Sequence, residues 1–329
     1  MRPAPPGARF ALAGAVLAAV AAVAGGVLIA PQNGERPGTR TLVAAVAPAP
    51  GQLPRFEELA GRAGIAIRHR ATGCSGNVAG AAWADVNRDG LLDLFLPQYG
   101  GPSRLWVARG RRNRFRLEAV GRGIPDAGFA TVAVFADYDN DGDQDLYVVR
   151  HGPNSLYEND GRGHFRDIAR LVGVADPGRG SSAAFADFDR DGRLDLYVAN
   201  GDNCGRPVAA PDRLYRNRGG GFEDVTRDLH GSDAGEGIGL QTTWLDYDRD
   251  GDPDLYLAND HLGFRGNELW RNDGGSKGRW RFTAVGASSG ADLRLSGRAS
   301  RSATSTGTGG LTSPYPTRVP RGWAARAVS

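Results

Sequence analysis

Ala133-Val-Phe-Ala-Asp-Tyr-Asp-Asn-Asp-Gly-Asp-Gln-Asp-Leu-Tyr-Val-Val149 decides how this chain is read. Short apolar, β-branched and aromatic flanks enclose a loop in which every second residue from Asp137 to Asp145 has a carboxylate. Flanks of this length and composition suit strands. The same nine-residue loop occurs three more times. It appears as Asp85-Val-Asn-Arg-Asp-Gly-Leu-Leu-Asp93, Asp187-Phe-Asp-Arg-Asp-Gly-Arg-Leu-Asp195 and Asp246-Tyr-Asp-Arg-Asp-Gly-Asp-Pro-Asp254. Successive copies start 52, 50 and 59 residues apart. A near-constant period of this size marks a repeat architecture.

The loop chemistry suits a hard divalent cation. Calcium takes roughly six to eight oxygen ligands at about 2.3–2.6 Å and tolerates irregular geometry. Side-chain oxygens at loop positions 1, 3, 5 and 9, with the main-chain carbonyl at position 7, can wrap such an ion. Glycine at position 6 permits the sharp turn. The expected ligands are Asp137, Asp139, Asp141, Asp143 and Asp145 in the second loop, and Asp187, Asp189, Asp191, Arg193 and Asp195 in the third. In the fourth they are Asp246, Asp248, Asp250, Asp252 and Asp254. The first uses Asp85, Asn87, Asp89, Leu91 and Asp93, so it has one less negative charge and is expected to bind most weakly. Carboxylates this close repel one another without a counter-ion. A solvated acidic turn is the plainer account of one copy; four copies in register argue against it. An EF-hand needs flanking helices and a Glu at position 12. Here position 12 is Leu96, Val148, Val198 and Leu257, in strand-like runs.

Two further signals recur between the loops. Ser103-Arg-Leu-Trp106, Asn154-Ser-Leu-Tyr157, Asp212-Arg-Leu-Tyr215 and Asn267-Glu-Leu-Trp270 form one series, and Phe115, Phe165, Phe222 and Phe282 the other. Asn159-Asp-Gly161 and Asn272-Asp-Gly274 are hairpin formers. One unit therefore reads strand, acidic loop, strand, connection, strand, hairpin, strand, which is the plan of a propeller blade.

These motifs resemble the FG-GAP/VCBS repeats of integrin alpha-subunit propellers, and most of all the bacterial group related to cartilage acidic protein and UnbV. The resemblance covers about residues 55–286. It implies an all-β fold, a β-propeller of four-stranded blades with Ca2+ held in the first hairpin loop of several blades. Seven blades are usual in the family, and about four are legible here, so the expectation is an incomplete ring with an irregular C-terminal tail. No ASPIC/UnbV domain, often found after such propellers, is recognisable. Phe56-Glu-Glu-Leu-Ala-Gly-Arg-Ala-Gly-Ile65 resembles Phe165-Arg-Asp-Ile-Ala-Arg-Leu-Val-Gly-Val174, the outer strand of a blade and its exit. The chain thus begins its repeats with the end of a blade, as ring closure requires.

Charge is unevenly spread. The net formal charge is +3, but residues 1–55 hold five Arg and one Glu, and residues 287–329 hold six Arg and one Asp. The repeat region is therefore acidic, which argues against nucleic acid as a partner. Arg2 and Arg9 precede an apolar run over residues 10–30. This predicts export through a signal peptide or an uncleaved membrane tether. The chain would then be secreted or periplasmic, or anchored on the outer face of the cytoplasmic membrane. Residues 31–54 read as a Pro-, Gly- and Ala-rich linker. Cys74 and Cys204 sit in different repeats, and their spacing leaves pairing open.

The pattern stops after residue 286, and residues 293–329 contain no acid. A disordered basic tail is one reading. Another is a shifted reading frame: Lys277 is the only lysine, which points to GC-rich coding. Residues 298–317, read two bases on with permitted codons, spell a fifth acidic loop. The chain as written would then be a truncated member of its group. No metalloprotease, Cys-x-x-Cys or phosphate-loop motif is present. Gly286-Ala-Ser-Ser-Gly290 matches a nucleophile elbow formally but falls where the pattern ends. Asp202, Asn203 and His261 are the only non-repeating candidates for chemistry. The function expected is a binding, adhesion or scaffold module with structural calcium and a protein or glycan ligand. A propeller enzyme acting on extracellular polysaccharide, a lyase or hydrolase, is the alternative.

Overall fold

The computed structural model describes residues 57–65, 80–110, 115–117, 122–125, 128–201, 210–230, 239–259, 266–276 and 279–292. The apolar run, the linker, both cysteines, Asp202, Asn203, His261 and the shifted-frame segment lie outside them. No helix among the described residues is long and apolar enough to cross a membrane.

Four sheets follow one another along the chain, each a four-stranded antiparallel meander. The first holds β1 (Ala82–Ala84), β2 (Asp93–Leu96), β3 (Arg104–Ala108) and β4 (Phe115–Leu117). The second holds β5 (Ala130–Ala136), β6 (Asp145–Arg150), β7 (Ser155–Asn159) and β8 (Phe165–Asp167). The third holds β9 (Gly180–Ala186), β10 (Asp195–Asn200), β11 (Arg213–Asn217) and β12 (Phe222–Asp224). The fourth holds β13 (Gly239–Leu245), β14 (Asp254–Asn259), β15 (Glu268–Ser276) and β16 (Arg279–Ala284). Four strands per period, predicted from the recurring motifs, is what forms. Such meanders are propeller-type blades.

The register explains why the loops recur. Ala84 pairs with Asp93, Ala136 with Asp145, Ala186 with Asp195, and Leu245 with Asp254. Each acidic loop is thus clamped between the last residue of the first strand and its own ninth residue. Inside it, position 6 glycines take left-handed φ of 82°, 88°, 86° and 91°. Position 4 is left-handed too, although it is Arg88, Asn140, Arg190 or Arg249, with φ of 56° to 65°.

A short helix follows the fourth strand, where the sequence suggested strand and exit. α2 (Ala169–Val172) and α4 (Gly286–Ser289) end on left-handed Gly173 and Gly290. α3 (Thr226–His230) leaves the third sheet. α1 (Ala60–Ala63), ahead of the first sheet, ends the same way on Gly64. Within the likeness between residues 56–65 and 165–174, residues 60–64 and 169–173 share a backbone conformation, a four-residue helix closed by a left-handed glycine. The Gly-x-Ser-x-Gly match is α4: Ser288 and Ser289 bond the Val285 and Gly286 carbonyls of their own turn.

Stability comes from between the sheets. One apolar core lies between the first and second sheets around Phe95, Leu105, Phe135 and Leu146. A second lies between sheets two and three around Tyr147, Leu156, Phe185 and Leu196. A third, between sheets three and four, holds Phe188, Tyr197, Leu214 and Leu255. Each fully buried side chain of this size contributes about 1.5–3 kcal/mol. These cores outweigh any single polar contact described below. Trp106 is buried, and Trp244 stacks on Phe188 at 6.1 Å. Trp270 borders the third core. Trp83 stays half exposed, edge-on to Phe115.

Candidate metal centre

The position 9 aspartate holds each loop. Asp93 accepts from the amides of Val86 at 3.0 Å and Ala108 at 2.7 Å. Asp145 accepts from Tyr138 at 3.3 Å and Asn159 at 2.8 Å. Asp195 accepts from Phe188 at 3.1 Å and Asn217 at 2.8 Å. Asp254 accepts from Tyr247 at 2.9 Å and Asn272 at 2.8 Å. All four carboxylates are buried. Each one staples the start of its loop to the third strand, a role the sequence analysis did not assign. A carboxylate oxygen has two lone pairs, so one amide bond leaves room for a cation.

Positions 1, 3 and 5 are ordered by the loop's own amides. Position 1 takes the position 6 N–H: Gly90 to Asp85, Gly142 to Asp137, Gly192 to Asp187 and Gly251 to Asp246, at 2.7 to 3.2 Å. Position 5 takes the position 7 N–H: Leu91 to Asp89, Asp143 to Asp141, Arg193 to Asp191 and Asp252 to Asp250, at 2.8 to 3.1 Å. Position 3 accepts the position 5 amide in the first three loops. The main chain thus aims carboxylates in all four loops by the same bonds.

The result is three clusters. Carboxylate oxygens of Asp137, Asp139 and Asp145 lie within 4.8 Å of one another, as do those of Asp187, Asp189 and Asp195, and those of Asp246, Asp248 and Asp250. Asp141, Asp191 and Asp254 stand beside these sets rather than inside them. The first loop, with Asn87, makes no such carboxylate cluster among the described residues. Ligands on opposite sides of one calcium are separated by about 4.6–5.2 Å, so the spacing fits. Asp137 Oδ1 is buried and accepts no hydrogen bond among the described residues. Burial pushes Asp145 and Asp195 up to about 8. Desolvation also raises Asp93, Asp137, Asp139, Asp189 and Asp254. Without a cation the charged form of each group is disfavoured, most of all for Asp145 and Asp195; a cation would offset that cost.

The loops differ in their neighbours. In the second, Glu158 on β7 bonds the Tyr138 hydroxyl at 3.4 Å and adds negative charge beside Asp139. In the third, the matching residue on β11 is Arg216. Its guanidinium pairs with Asp189 and stands 3.7 Å from Asp191, while Arg193 pairs with Asp191. The fourth cluster is exposed throughout.

Two recurrent polar joints were not legible as such. Position 4 reaches the next loop: Arg88 to Asp143 and Arg190 to Asp252, each at 2.6 Å, and Asn140 to the Gly192 carbonyl at 2.8 Å. The side chains of Asp143 and Asp252 are therefore latch partners. The asparagine closing the third strand reaches back. Asn159 donates to the Val86 carbonyl, Asn217 to Tyr138 and Asn272 to Phe188, at 2.7 to 2.9 Å. The signal was the Leu-aromatic-x-Asn spacing, read only as a turn. Ala108 is its exception in the first sheet.

A tandem array of propeller-type blades with an acidic loop in each first hairpin is the class these features define. Residues 85–148 and 137–198 each match the FG-GAP-like repeat model. Residues 85–198 are accordingly FG-GAP-like repeats. Among solved structures, an Agrocybe aegerita lectin, described for specific recognition of non-reducing terminal N-acetylglucosamine, is similar at 21% identity and a TM-score of 0.41. That similarity covers 64% of this chain and 53% of the lectin. The V. cholerae biofilm matrix protein Bap1 is similar at 17% identity and a TM-score of 0.32, over 59% of this chain and 29% of that one. This chain therefore spans about half of the lectin and under a third of the matrix protein. No curated protein matches it.

Proposed function

We propose that this chain is an exported binding module whose FG-GAP-like repeats are stabilised by calcium. One observation carries the reading: three successive loops each gather three carboxylate oxygens within 4.8 Å, with no basic residue common to the three. In the second loop Asp137, Asp139 and Asp145 would hold the ion, with Asp141 and the Asp143 carbonyl completing its shell. The role of the ion is structural, tying the first hairpin of a blade to its third strand. Export suits this chemistry, because extracellular modules work at calcium dissociation constants of about 10⁻⁴–10⁻³ M. The apolar run behind Arg2 and Arg9 would deliver the chain as a secreted, periplasmic or membrane-tethered protein.

The ligand surface lies on the rim opposite the acidic loops. Repeated polar positions serve the loops and joints, whereas that rim has non-repeating residues. Phe129 is 54% exposed there, with a φ of 70° that is rare for an aromatic residue. It lies edge-on to Tyr99 at 5.4 Å, and Tyr99 lies edge-on to His151 at 4.9 Å. Arg179 donates to His151 at 3.0 Å. An exposed aromatic face beside hydrogen-bonding groups suits a glycan or a protein loop.

Calorimetric titration with calcium tests the ion, and a glycan and protein array tests the ligand. Heat of binding and a higher melting temperature with calcium than with chelator are expected. Identical melting in both would remove the calcium reading. Binding on the array that survives Phe129→Ala would move the ligand surface elsewhere.

A further inference from the structure

One sheet has an acid where its neighbours have a neutral amide. The residue just ahead of the third strand is Ser103, Asn154, Asp212 or Asn267. In the second and fourth sheets this asparagine closes the rim opposite the acidic loops. Its side-chain oxygen accepts the amide that ends the second strand, from Arg150 at 2.7 Å and Asn259 at 3.0 Å. Its side-chain N–H donates to the second-strand tyrosine hydroxyl, of Tyr147 at 3.0 Å and of Tyr256 at 2.8 Å. In the first sheet the Ser103 hydroxyl accepts from the Gln98 amide at 3.1 Å.

Asp212 takes the asparagine's place in the third sheet, and the tyrosine bond runs the other way. Its carboxylate accepts from the Asn200 amide at 2.6 Å and from the Tyr197 hydroxyl at 2.7 Å. Asp212 is 2% exposed, and Arg213 beside it pairs with Asp224 instead. The charged groups that act on it most are acids. Buried Asp176, ahead of β9, accepts from the Asn200 side chain at 2.7 Å, so Asn200 bridges the two carboxylates. Glu268, on β15 of the fourth sheet, accepts from Asn259 at 3.1 Å and from the Trp270 indole at 2.9 Å. Tyr197, on β10, is the other titratable neighbour and belongs to the core between the third and fourth sheets. The same joint brings the two backbones together: a Cβ on Gly239, which opens β13, would come 3.5 Å from Asp212 Oδ2. Burial pushes the Asp212 carboxyl up to about 7, and Glu268 and Asp176 add to the push.

We propose that Asp212 is a proton-operated clasp between the third and fourth sheets. With its proton it is neutral, as Asn154 and Asn267 are, and the rim stays closed. When the proton leaves, a buried charge faces Glu268 across the joint and Asp176 behind it, and the joint loosens. A carboxyl raised in the folded state favours that state while protonated, so the closed joint loses stability as pH climbs from about 4 to about 7. Asn154 and Asn267 have nothing to titrate, so the device is confined to this joint. It stands apart from calcium, because Asp212 lies at the far end of β10 from the acidic loop.

Amide exchange of the full chain at about pH 5 and about pH 7 tests the clasp, expressed as protection so that the intrinsic pH dependence of exchange drops out. Protection over β13 and β14 should fall with rising pH by about tenfold more in the parent than in Asp212→Asn. The comparison cancels the acidic-loop carboxylates, which both proteins share. Glu268→Gln removes the opposing charge and should shrink the parent's fall. The carboxyl carbon of Asp212, assigned through its own backbone, should titrate near neutral pH. An equal fall in the parent and Asp212→Asn would overturn the proposal. So would an Asp212 carboxyl that titrates near about 4, or a Glu268→Gln protein that responds to pH as the parent does. Those last two measurements decide the matter even where Asp212→Asn fails to fold.

Discussion

The second and third acidic loops share one sequence pattern and face opposite electrostatic surroundings. Both present Asp at positions 1, 3, 5 and 9, and both gather three carboxylates. Beside the second stands Glu158; beside the third, at the same place in the blade, stands Arg216. Arg216 also lies over the Trp280 ring of the fourth sheet, 5.0 Å from its centroid. Apart from the Arg88 latch on Asp143, the second loop therefore has only protons or a metal to offset the charge of its clustered carboxylates, whereas the third has part of its compensation built in. A loop motif defines where oxygens go; a residue about twenty to thirty positions later decides how much an ion is needed.

The largest expected effect comes from the shared staple. Asp145→Ala orphans the Tyr138 and Asn159 amides, each worth about 1–3 kcal/mol when buried and unpaired. Chemical denaturation should register that loss with or without calcium. Asp145→Asn keeps one of the two acceptor oxygens, so in chelator it should lose less than Asp145→Ala, and it should also lose the calcium increment. Equal damage from both variants in chelator would show that charge, not the hydrogen bond, is what the site needs.

Next comes the built-in cation. Arg216→Met leaves the buried Asp189 uncompensated. Breaking such a pair costs about 3–5 kcal/mol, so the metal-free protein should melt lower. The calcium increment should grow at the same time. A variant whose calcium response does not change would mean that Arg216 and the ion do not compete.

A smaller effect separates the loops by pH. Asp145 and Asp195 are raised to about 8 from an unfolded value near 3.9. A raised carboxyl favours the folded state while it is protonated. Metal-free stability should therefore fall as pH climbs from about 4 to about 8. Calcium displaces those protons, so its stabilisation should be greater at about pH 8 than at about pH 5.5. Arg216→Met should steepen this dependence through the third loop. Melting curves with calcium and with chelator at the two pH values check it. At a hundredfold excess over the dissociation constant, each site contributes about 2.7 kcal/mol.

The smallest effect is the latch. Arg88 is half exposed and bonds Asp143 across the first joint. Exposed pairs are worth about 0.2–1 kcal/mol, so Arg88→Ala should shift the denaturation midpoint only slightly, and less as salt is added. A large shift would mean that the latch, rather than the apolar core, holds neighbouring sheets.

The amino-acid sequence by itself determined the strands, the acidic hairpins, the four-strand blade and the oxygen positions of each loop. Those features depend on residues within a few positions of one another, and repetition in register made chance patterns improbable. It also made the four- and five-residue exit helices hard to see, since one turn has too short a period to stand out beside a strand. Only the tertiary structure decided what joins one blade to the next. Asn159, Asn217 and Asn272 bond carbonyls 73, 79 and 84 residues earlier in the chain, and Arg216 acquires its meaning from a loop on another strand. Contacts at such separations leave no local periodicity, because they are set by how stacked sheets face one another and not by the backbone spacing within a sheet.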